Sequence, residues 1–178
     1  MALLLTGPPG AGKTTAIRAV ADVLGRSRLG GFFTQEIRTR GVRQGFELIT
    51  FDGKRAVMAH VDRQGTPRVG KYGVDVGVLD TMSRAALAVR RDVEVYLVDE
   101  IGKMECLSAG FVEAVQALLA AAGPRAVATV GQRGGGFIDE VKRRPDVELW
   151  ELTRDNRDAM PARVLAWLEQ SGAILRHV

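Results

Sequence analysis

A phosphate-binding pattern near the start of the chain restricts the fold more than any other feature. Residues 7 to 14 read Gly-Pro-Pro-Gly-Ala-Gly-Lys-Thr and match G-x-x-x-x-G-K-[ST] at every position. The pattern is informative only between a strand and a helix. Residues 2 to 5 are a short apolar run, and residues 14 to 24 carry apolar side chains at the spacing of one helix face. Together they predict a strand, a loop and a helix that bind a polyphosphate.

The last two residues of this pattern have separate chemical roles. Lys13 would reach the outer phosphates of a bound nucleotide, and the Thr14 hydroxyl would take a coordination position on Mg²⁺. The glycines leave room for successive backbone N–H groups to turn toward the anion. We therefore predict Mg²⁺ as the cofactor and Lys13 as a catalytic residue.

The composition is that of an ordinary globular protein. The 178 residues suit one domain, and 46% are hydrophobic while 26% are charged. No apolar run approaches the roughly 20 residues of a membrane helix, so we expect no membrane association. The single cysteine, Cys106, excludes an internal disulfide and favours a reducing compartment, by default the cytoplasm. A net charge of +4 permits a nucleic-acid contact without requiring one.

Strands and helices alternate along the chain, which predicts an α/β fold with a mainly parallel sheet covered by helices on both faces. Residues from about 39 to 76 differ, because Asp52-Gly53 is a hairpin signal between two β-rich runs. We interpret this stretch as an antiparallel hairpin insertion that adds to the main sheet. Further strands are expected at residues 32–38, 46–51, 55–61, 93–98, 126–130 and 147–152. Further helices are expected at residues 78–89, 111–122, 137–143 and 160–168.

Two acids follow the buried strand at residues 93–98. Ligands of such sheets lie beyond the carboxyl ends of the strands, so Asp99 and Glu100 are expected near the phosphates. Asp99 would hold the metal together with Thr14. Glu100 would orient and deprotonate a water molecule, although a local ion pair with Lys103 is an alternative. Lys103 and Glu105 are interpreted as surface residues that lead into the next helix.

Other polar residues follow the later strands. Thr129 would sense the terminal phosphate or simply pack in its strand, and Gln132 lies within reach of the same edge. Arg133, Arg154 and Arg157 are candidates for an arginine finger, and the sequence does not choose among them.

The last of these loops lies where a nucleobase would be expected. Asn156 and Arg157 offer an amide and a guanidinium for the edge or face of a base. The alternative is a turn in which Asp158 caps the final helix.

The chain resembles the P-loop nucleoside-triphosphatase family that includes thermophilic bacterial and archaeal enzymes and the human cancer-related nucleoside-triphosphatase. The resemblance covers nearly the whole chain and rests on residues 5–15, 31–38, 45–47, 69–72, 98–105 and 153–157. The stretch Asp-Glu-Ile-Gly-Lys-Met-Glu at 99–105 is its most specific part. Gln35, Cys106 and the glycines at 134–136 depart from the family pattern.

The resemblance implies a P-loop NTPase fold of the RecA-like type and Mg²⁺-dependent hydrolysis of several nucleoside triphosphates, with little base preference. It also extends the predicted site to a second segment, residues 95 to 102. The residues predicted to contact the nucleotide are Gly7, Pro8, Pro9, Gly10, Ala11, Gly12, Lys13, Thr14, Thr15, Val95, Tyr96, Leu97, Val98, Asp99, Glu100, Ile101, Gly102, Asn156 and Arg157.

We therefore predict a monomeric enzyme that releases a nucleoside diphosphate and phosphate, with Lys13 and Glu100 as catalytic residues. One alternative is a small nucleotide or metabolite kinase, whose additional arginines would come from Arg38, Arg40 and Arg43. Another is a nucleotide-switched RNA-binding protein that uses the basic runs at residues 90–91 and 142–144. A regulatory GTPase is not expected, because the guanine-reading motif Asn-Lys-x-Asp is missing from the sequence.

Overall fold

The structure is a computed structural model, and it describes residues 1–172. The strands of this part of the chain are β1 Ala2–Thr6, β2 Leu29–Thr39, β3 Val42–Thr50, β4 Arg55–His60, β5 Arg68–Val69, β6 Tyr72–Val74, β7 Val95–Ile101, β8 Arg125–Val130 and β9 Val147–Glu151. The α-helices are α1 Lys13–Leu24, α2 Val76–Leu87, α3 Ala109–Ala120, α4 Phe137–Lys142 and α5 Met160–Gln170.

All of these strands belong to one sheet in the order β5-β6-β4-β3-β2-β7-β8-β1-β9. The half from β2 to β9 is parallel, and the half from β2 to β5 is antiparallel. The α/β prediction is confirmed, and so is the prediction that residues from about 39 to 76 add antiparallel strands to the main sheet. The strand β2 joins the halves, because residues 29–32 pair with β7 while residues 32–39 pair with β3.

Side chains alternate between the two faces of the sheet. Leu3 and Leu5 pack with Ile17 of α1 and Trp167 of α5, whereas Leu4 points to the opposite face. That opposite face holds a second apolar cluster, which includes residues of α2, α3 and α4. The prediction of helices on both faces is therefore confirmed. Helices cover both faces because successive side chains of a buried strand alternate between them.

The ends of the elements differ from the predictions by a few residues, and two short strands, β5 and β6, were not predicted. They are too short for a periodic pattern to reveal them. Asp158, considered as a cap in the alternative interpretation of this loop, does not cap α5: no side chain caps this helix, and Pro161 lies in its first turn. No helix within residues 1–172 has the length and apolar character needed to cross a bilayer.

The parallel half of the sheet aligns the carboxyl ends of four strands. Thr6 at the end of β1 lies beside Val130 of β8 and Glu151 of β9, and Ile101 of β7 lies beside Val130 on the other side. The loops that follow these strands therefore meet at one edge, as ligand-binding loops of such sheets do.

Candidate functional site

The loop between β1 and α1 curls around the side chain of Lys13. The Lys13 ammonium donates to the carbonyl oxygen of Gly7 at 2.9 Å and lies 3.5 Å from that of Pro8. Gly7 is required by space as well, because a Cβ atom there would lie 2.3 Å from the carbonyl oxygen of Leu152. The side chain of Lys13 is only 9% exposed. The loop thus holds a nearly desolvated cation at the position where a phosphate would bind.

Asp99 is fully buried and accepts hydrogen bonds from three threonine hydroxyls. Thr14 donates to Oδ2 at 2.7 Å, Thr34 donates to the same oxygen at 3.3 Å, and Thr129 donates to Oδ1 at 2.7 Å. These threonines come from α1, β2 and β8, so the carboxylate joins three elements around the strand that carries it. The role of Thr129 is therefore to orient Asp99, which differs from both roles considered above.

Thr34 was not predicted as a site residue, although it donates a hydrogen bond to Asp99 and lines the site. It lies in β2, beyond the last residue that pairs with β7. The only sequence signal was its place in the segment 31–38 that carries the family resemblance.

The pair Thr14 and Asp99 fits a magnesium site. Mg²⁺ prefers oxygen ligands and is usually held by one or two carboxylates together with phosphate oxygens and water. The hydroxyl and the carboxylate supply such a donor set at one point, 2.7 Å apart. No group of three or more histidine, cysteine or acidic side chains in residues 1–172 forms an alternative metal site.

Glu100 lies on the other side of Lys13, next to Asp99 through a cis peptide bond. Its Oε2 atom is 3.9 Å from the Lys13 ammonium, and no ion pair joins it to Lys103. Burial raises the pKa of Glu100, the charge of Lys13 lowers it in part, and the charge of Asp99 raises it further. A carboxylate with a raised pKa, beside a phosphate-binding lysine and 35% exposed, is suited to accept a proton from a water molecule.

Glu105 was interpreted as a surface residue, and this interpretation is wrong. Its side chain is buried, and a Cβ atom at Gly102 would lie 2.8 Å from its Oε2 and 3.4 Å from Oε1 of Glu100. Burial raises the pKa of Glu105 to about 8, so the group is protonated at neutral pH. Glu105 therefore adds no second negative charge beside Glu100 under these conditions.

The first half of the predicted segment 95 to 102 packs in the hydrophobic core. Val95, Tyr96, Leu97 and Val98 are almost fully buried in the two apolar clusters and pair with the neighbouring strands. Their side chains point into these clusters, so their contribution is to position Asp99. Ile101 is also buried in the core. Of the predicted segment, Glu100 and Gly102 line the cavity described next.

Two adjoining cavities surround Lys13 and Glu100. A cleft of about 460 Å³ is lined by the phosphate loop and the start of α1, and also by Arg18 and Arg43. The second cavity, of about 520 Å³, extends from Lys13 and Glu100 toward the antiparallel insertion. Arg18 was not a predicted site residue, and Arg43 was named only for the kinase alternative.

The loop after β9 lies at the rim near α1. Both ends of the Asn156 amide are used locally, since Oδ1 accepts from the Thr153 amide and Nδ2 donates to the Glu151 carbonyl, each at 2.9 Å. Asn156 therefore holds the turn instead of offering a free edge to a base. Arg157 lines a pocket of about 350 Å³ together with Gly12 and Thr15.

The three arginine-finger candidates lie in different places. Arg133 lines the larger cavity beside Lys13, whereas Arg157 lines the rim pocket near the start of α1. Arg154 is an exposed residue of the turn after β9. The structure therefore does not bring the three together.

Comparison with known proteins places this chain in a family. Residues 2–165 match the family model described as NTPase. The chain is 37% identical to the mouse (Mus musculus) cancer-related nucleoside-triphosphatase homolog, over 95% of this chain and 97% of that protein. It is 40% identical to the nucleoside-triphosphatase THEP1 of Methanopyrus kandleri, over 94% of this chain and 97% of that protein.

Solved structures have the same fold. THEP1 from Aquifex aeolicus superposes with a TM-score of 0.79 at 35% identity, covering 95% of this chain and 99% of that one. The human cancer-related nucleoside triphosphatase superposes with a TM-score of 0.81 at 32% identity, covering 95% and 97%. The matching model, the relatives and the shared fold lead to one conclusion: this chain belongs to the NTPase family.

Proposed function

We propose that this chain hydrolyses nucleoside 5′-triphosphates to the nucleoside diphosphate and phosphate, with Mg²⁺ as cofactor and broad base specificity. The observation that carries the proposal is the arrangement of Lys13, Asp99 and Glu100 at one end of the sheet. Relatives that share almost the full length of the chain are named nucleoside-triphosphatases, which supports the same activity here.

Binding begins with an exchange of partners at Lys13. Its ammonium donates to the carbonyl oxygen of Gly7 in the structure, and a triphosphate offers charged oxygens in place of that neutral acceptor. The ammonium is attracted more strongly to a charged phosphate oxygen than to a neutral carbonyl oxygen, because both partners then carry charge. The loop amides and the start of α1 then fix the phosphate chain.

Thr14 and Asp99 would hold a bound Mg²⁺, which would neutralise charge on the phosphate oxygens. The role of the chain itself is to position the reactants and to take up a proton. Glu100 accepts a proton from a water molecule while the oxygen of that water forms a bond to the terminal phosphorus. The bond from that phosphorus to the bridging oxygen breaks, and the nucleoside diphosphate leaves with the electron pair.

The rim pocket supports broad base specificity. Its walls include the side chains of Arg157, Ala16 and Pro161, and the amide of Asn156 is committed to its own turn. A guanidinium can stack on the face of any base, and the committed amide of Asn156 offers no free edge to select one base by hydrogen bonds. We expect the bases to be stacked without being selected.

The basic runs give little support to the RNA-binding alternative. Arg90 lies 3.4 Å from Asp92, and Arg144 makes two contacts with Asp146 at 3.0 and 2.7 Å. Cations paired to acids of their own chain release fewer counterions from an RNA backbone. Action as a monomer in the cytoplasm stays a prediction.

Phosphate release from ATP, GTP, CTP and UTP, with Mg²⁺ and with excess chelator, tests the proposal. We expect release from all four at rates within about tenfold of one another, and loss of release when Mg²⁺ is chelated. Lys13→Ala should abolish release, while Lys54→Ala, which changes an exposed lysine in the turn before β4, serves as the control. Release that is equally fast in chelator, or that needs an added phosphoryl acceptor, would contradict the proposal.

A further inference from the structure

The larger cavity exceeds what hydrolysis requires. It measures about 520 Å³, and its walls extend from Lys13 and Glu100 to Phe46, Met58 and Val69. The last three residues belong to the antiparallel insertion. A water molecule occupies only about 30 Å³ of liquid, whereas pockets of roughly 300–1,000 Å³ hold small organic ligands. Part of this volume belongs to the terminal phosphate, since Gly7, Pro9 and Lys13 line the same cavity, and the insertion borders the remaining space.

This space lies on the side of the terminal phosphate and away from the base. In phosphate loops the lysine reaches the outer phosphates, and the loop amides cradle the inner ones. The larger cavity is lined by Lys13 and Glu100, whereas the rim pocket is lined by Gly12 and Thr15 at the start of α1. The nucleoside is therefore expected in the rim pocket, which leaves the larger cavity to another molecule.

The lining of the larger cavity indicates the chemistry of that molecule. Met58 is buried, and Phe46, Val69 and Met104 add further apolar surface. Two exposed cations, Lys103 and Arg133, line the same cavity, and neither forms an ion pair within residues 1–172. An apolar wall with free cations beside it is complementary to an organic molecule with an apolar body and an anionic group.

We propose that the larger cavity is an acceptor site for a small alcohol with an apolar body and an anionic group, to which the chain transfers the terminal phosphoryl group. This inference rests on the proposed triphosphate site. The acceptor oxygen forms a bond to the terminal phosphorus, and the bond to the bridging oxygen breaks. The nucleoside diphosphate leaves with the electron pair, and Glu100 takes the hydroxyl proton. Water replaces the alcohol when no acceptor is bound.

The probe is 4-(hydroxymethyl)benzoate, which has an aromatic body, one hydroxyl and one carboxylate. Phosphorus NMR of a reaction with Mg²⁺ and ATP separates its phosphate ester from free phosphate. We expect the ester to form and ATP consumption to rise at least about tenfold at millimolar probe, because a bound hydroxyl is positioned for attack. Benzyl alcohol lacks the carboxylate and should give far less ester. The analogue 4-methylbenzoate lacks the hydroxyl and should bind without reacting.

Binding is measured independently of turnover through isotope-labelled methionine methyl groups. Met58 and Met104 line the cavity, whereas Met160 packs in the apolar cluster on the other face of the sheet and serves as the internal control. In the complex with Mg²⁺ and ADP, either benzoate should shift the signals of Met58 and Met104 and leave that of Met160 in place.

Variants identify the anion-binding group. Arg133→Ala should weaken probe binding by at least about tenfold, since it removes a charge-assisted hydrogen bond. Arg91→Ala changes an exposed arginine in another part of the chain and should leave binding and hydrolysis unchanged.

The outcomes separate this inference from the proposed function. Unmoved Met58 and Met104 signals, or binding without any phosphate ester, would overturn the acceptor site. Phosphate release without the probe would support hydrolysis in either case. If neither phosphate nor ester forms, the proposed function itself fails.

Discussion

Lys13 and Glu100 face each other across the entrance to the phosphate loop, with 3.9 Å between the ammonium and a carboxylate oxygen. A terminal phosphate bound by Lys13 would therefore lie within reach of a water molecule held by Glu100. Asp99, which precedes Glu100 in the chain, is also bound to the start of α1, because the Thr14 hydroxyl donates to its carboxylate.

The first prediction concerns proton transfer at Glu100. Glu100→Gln preserves the shape of the side chain but cannot accept a proton, so we expect kcat to fall by about 10²–10⁴ while nucleotide affinity changes little. Phosphate release and nucleotide titration measure the two effects. Glu94→Gln, which changes a surface acid, is the control. A near-normal rate for Glu100→Gln would show that another group takes the proton.

The second prediction concerns the pH dependence of the reaction. Burial raises the pKa of Glu100 above its ordinary value of 4.5, with partial opposition from Lys13. Because the base acts only when ionised, kcat/KM should fall as the pH drops through a value above 4.5. Rates measured across the acidic range give this midpoint. A rate that stays constant down to pH 4.5 would argue against Glu100 as the base.

The third prediction tests how Asp99 is oriented. Thr129→Val removes the hydroxyl that donates to Oδ1 but keeps the size of the side chain. Loss of a hydrogen bond to a buried charge should lower the free energy of unfolding by about 1.5–3 kcal/mol and reduce kcat by roughly tenfold. Urea unfolding and phosphate release measure these effects. Thr129→Ser keeps the hydroxyl and should behave much more like the wild type, and equal losses in both variants would indicate packing alone.

The fourth prediction concerns stability at high pH. Burial raises the pKa of Glu105 from 4.5 to about 8, so between these values the folded chain holds a proton that the unfolded chain has released. The contribution of Glu105 to stability is therefore present below pH 4.5 and is lost as the pH rises through about 8. Glu105→Gln mimics the protonated form, so its melting temperature should match that of the wild type near pH 5 and exceed it by several degrees near pH 9. A difference that does not depend on pH would contradict this assignment.

The fifth prediction concerns the contact between β2 and β7. Gly31 has a φ of 97°, and a Cβ atom there would lie 2.0 Å from the carbonyl oxygen of Leu97. Gly41 has a φ of 79° but open space around it. Gly41→Ala should therefore cost about 1–2 kcal/mol for backbone strain alone, and Gly31→Ala should cost clearly more. Equal losses in urea unfolding would show that the strands separate without cost.

Much of the fold could be predicted because its signals are local. The alternation of Leu3, Leu4 and Leu5 between two faces follows from strand geometry, and the glycine loop lies between a strand and a helix. The position of Asp99 and Glu100 could be predicted as well, because parallel strands bring their carboxyl ends to one edge. The short strands β5 and β6 could not be predicted, because two or three residues are too few to show a periodic pattern.

Neighbouring residues encode the phosphate loop, the two acids and the order of the elements, so these features could be predicted from the sequence. The contacts of Thr34 and Thr129 with Asp99 could not, because these threonines lie 65 and 30 positions away from it in the chain. The burial of Glu105 likewise became evident in the three-dimensional fold. Hydrogen-bond partners and burial depend on strand register and helix packing, which bring together groups whose sequence separation carries no signal.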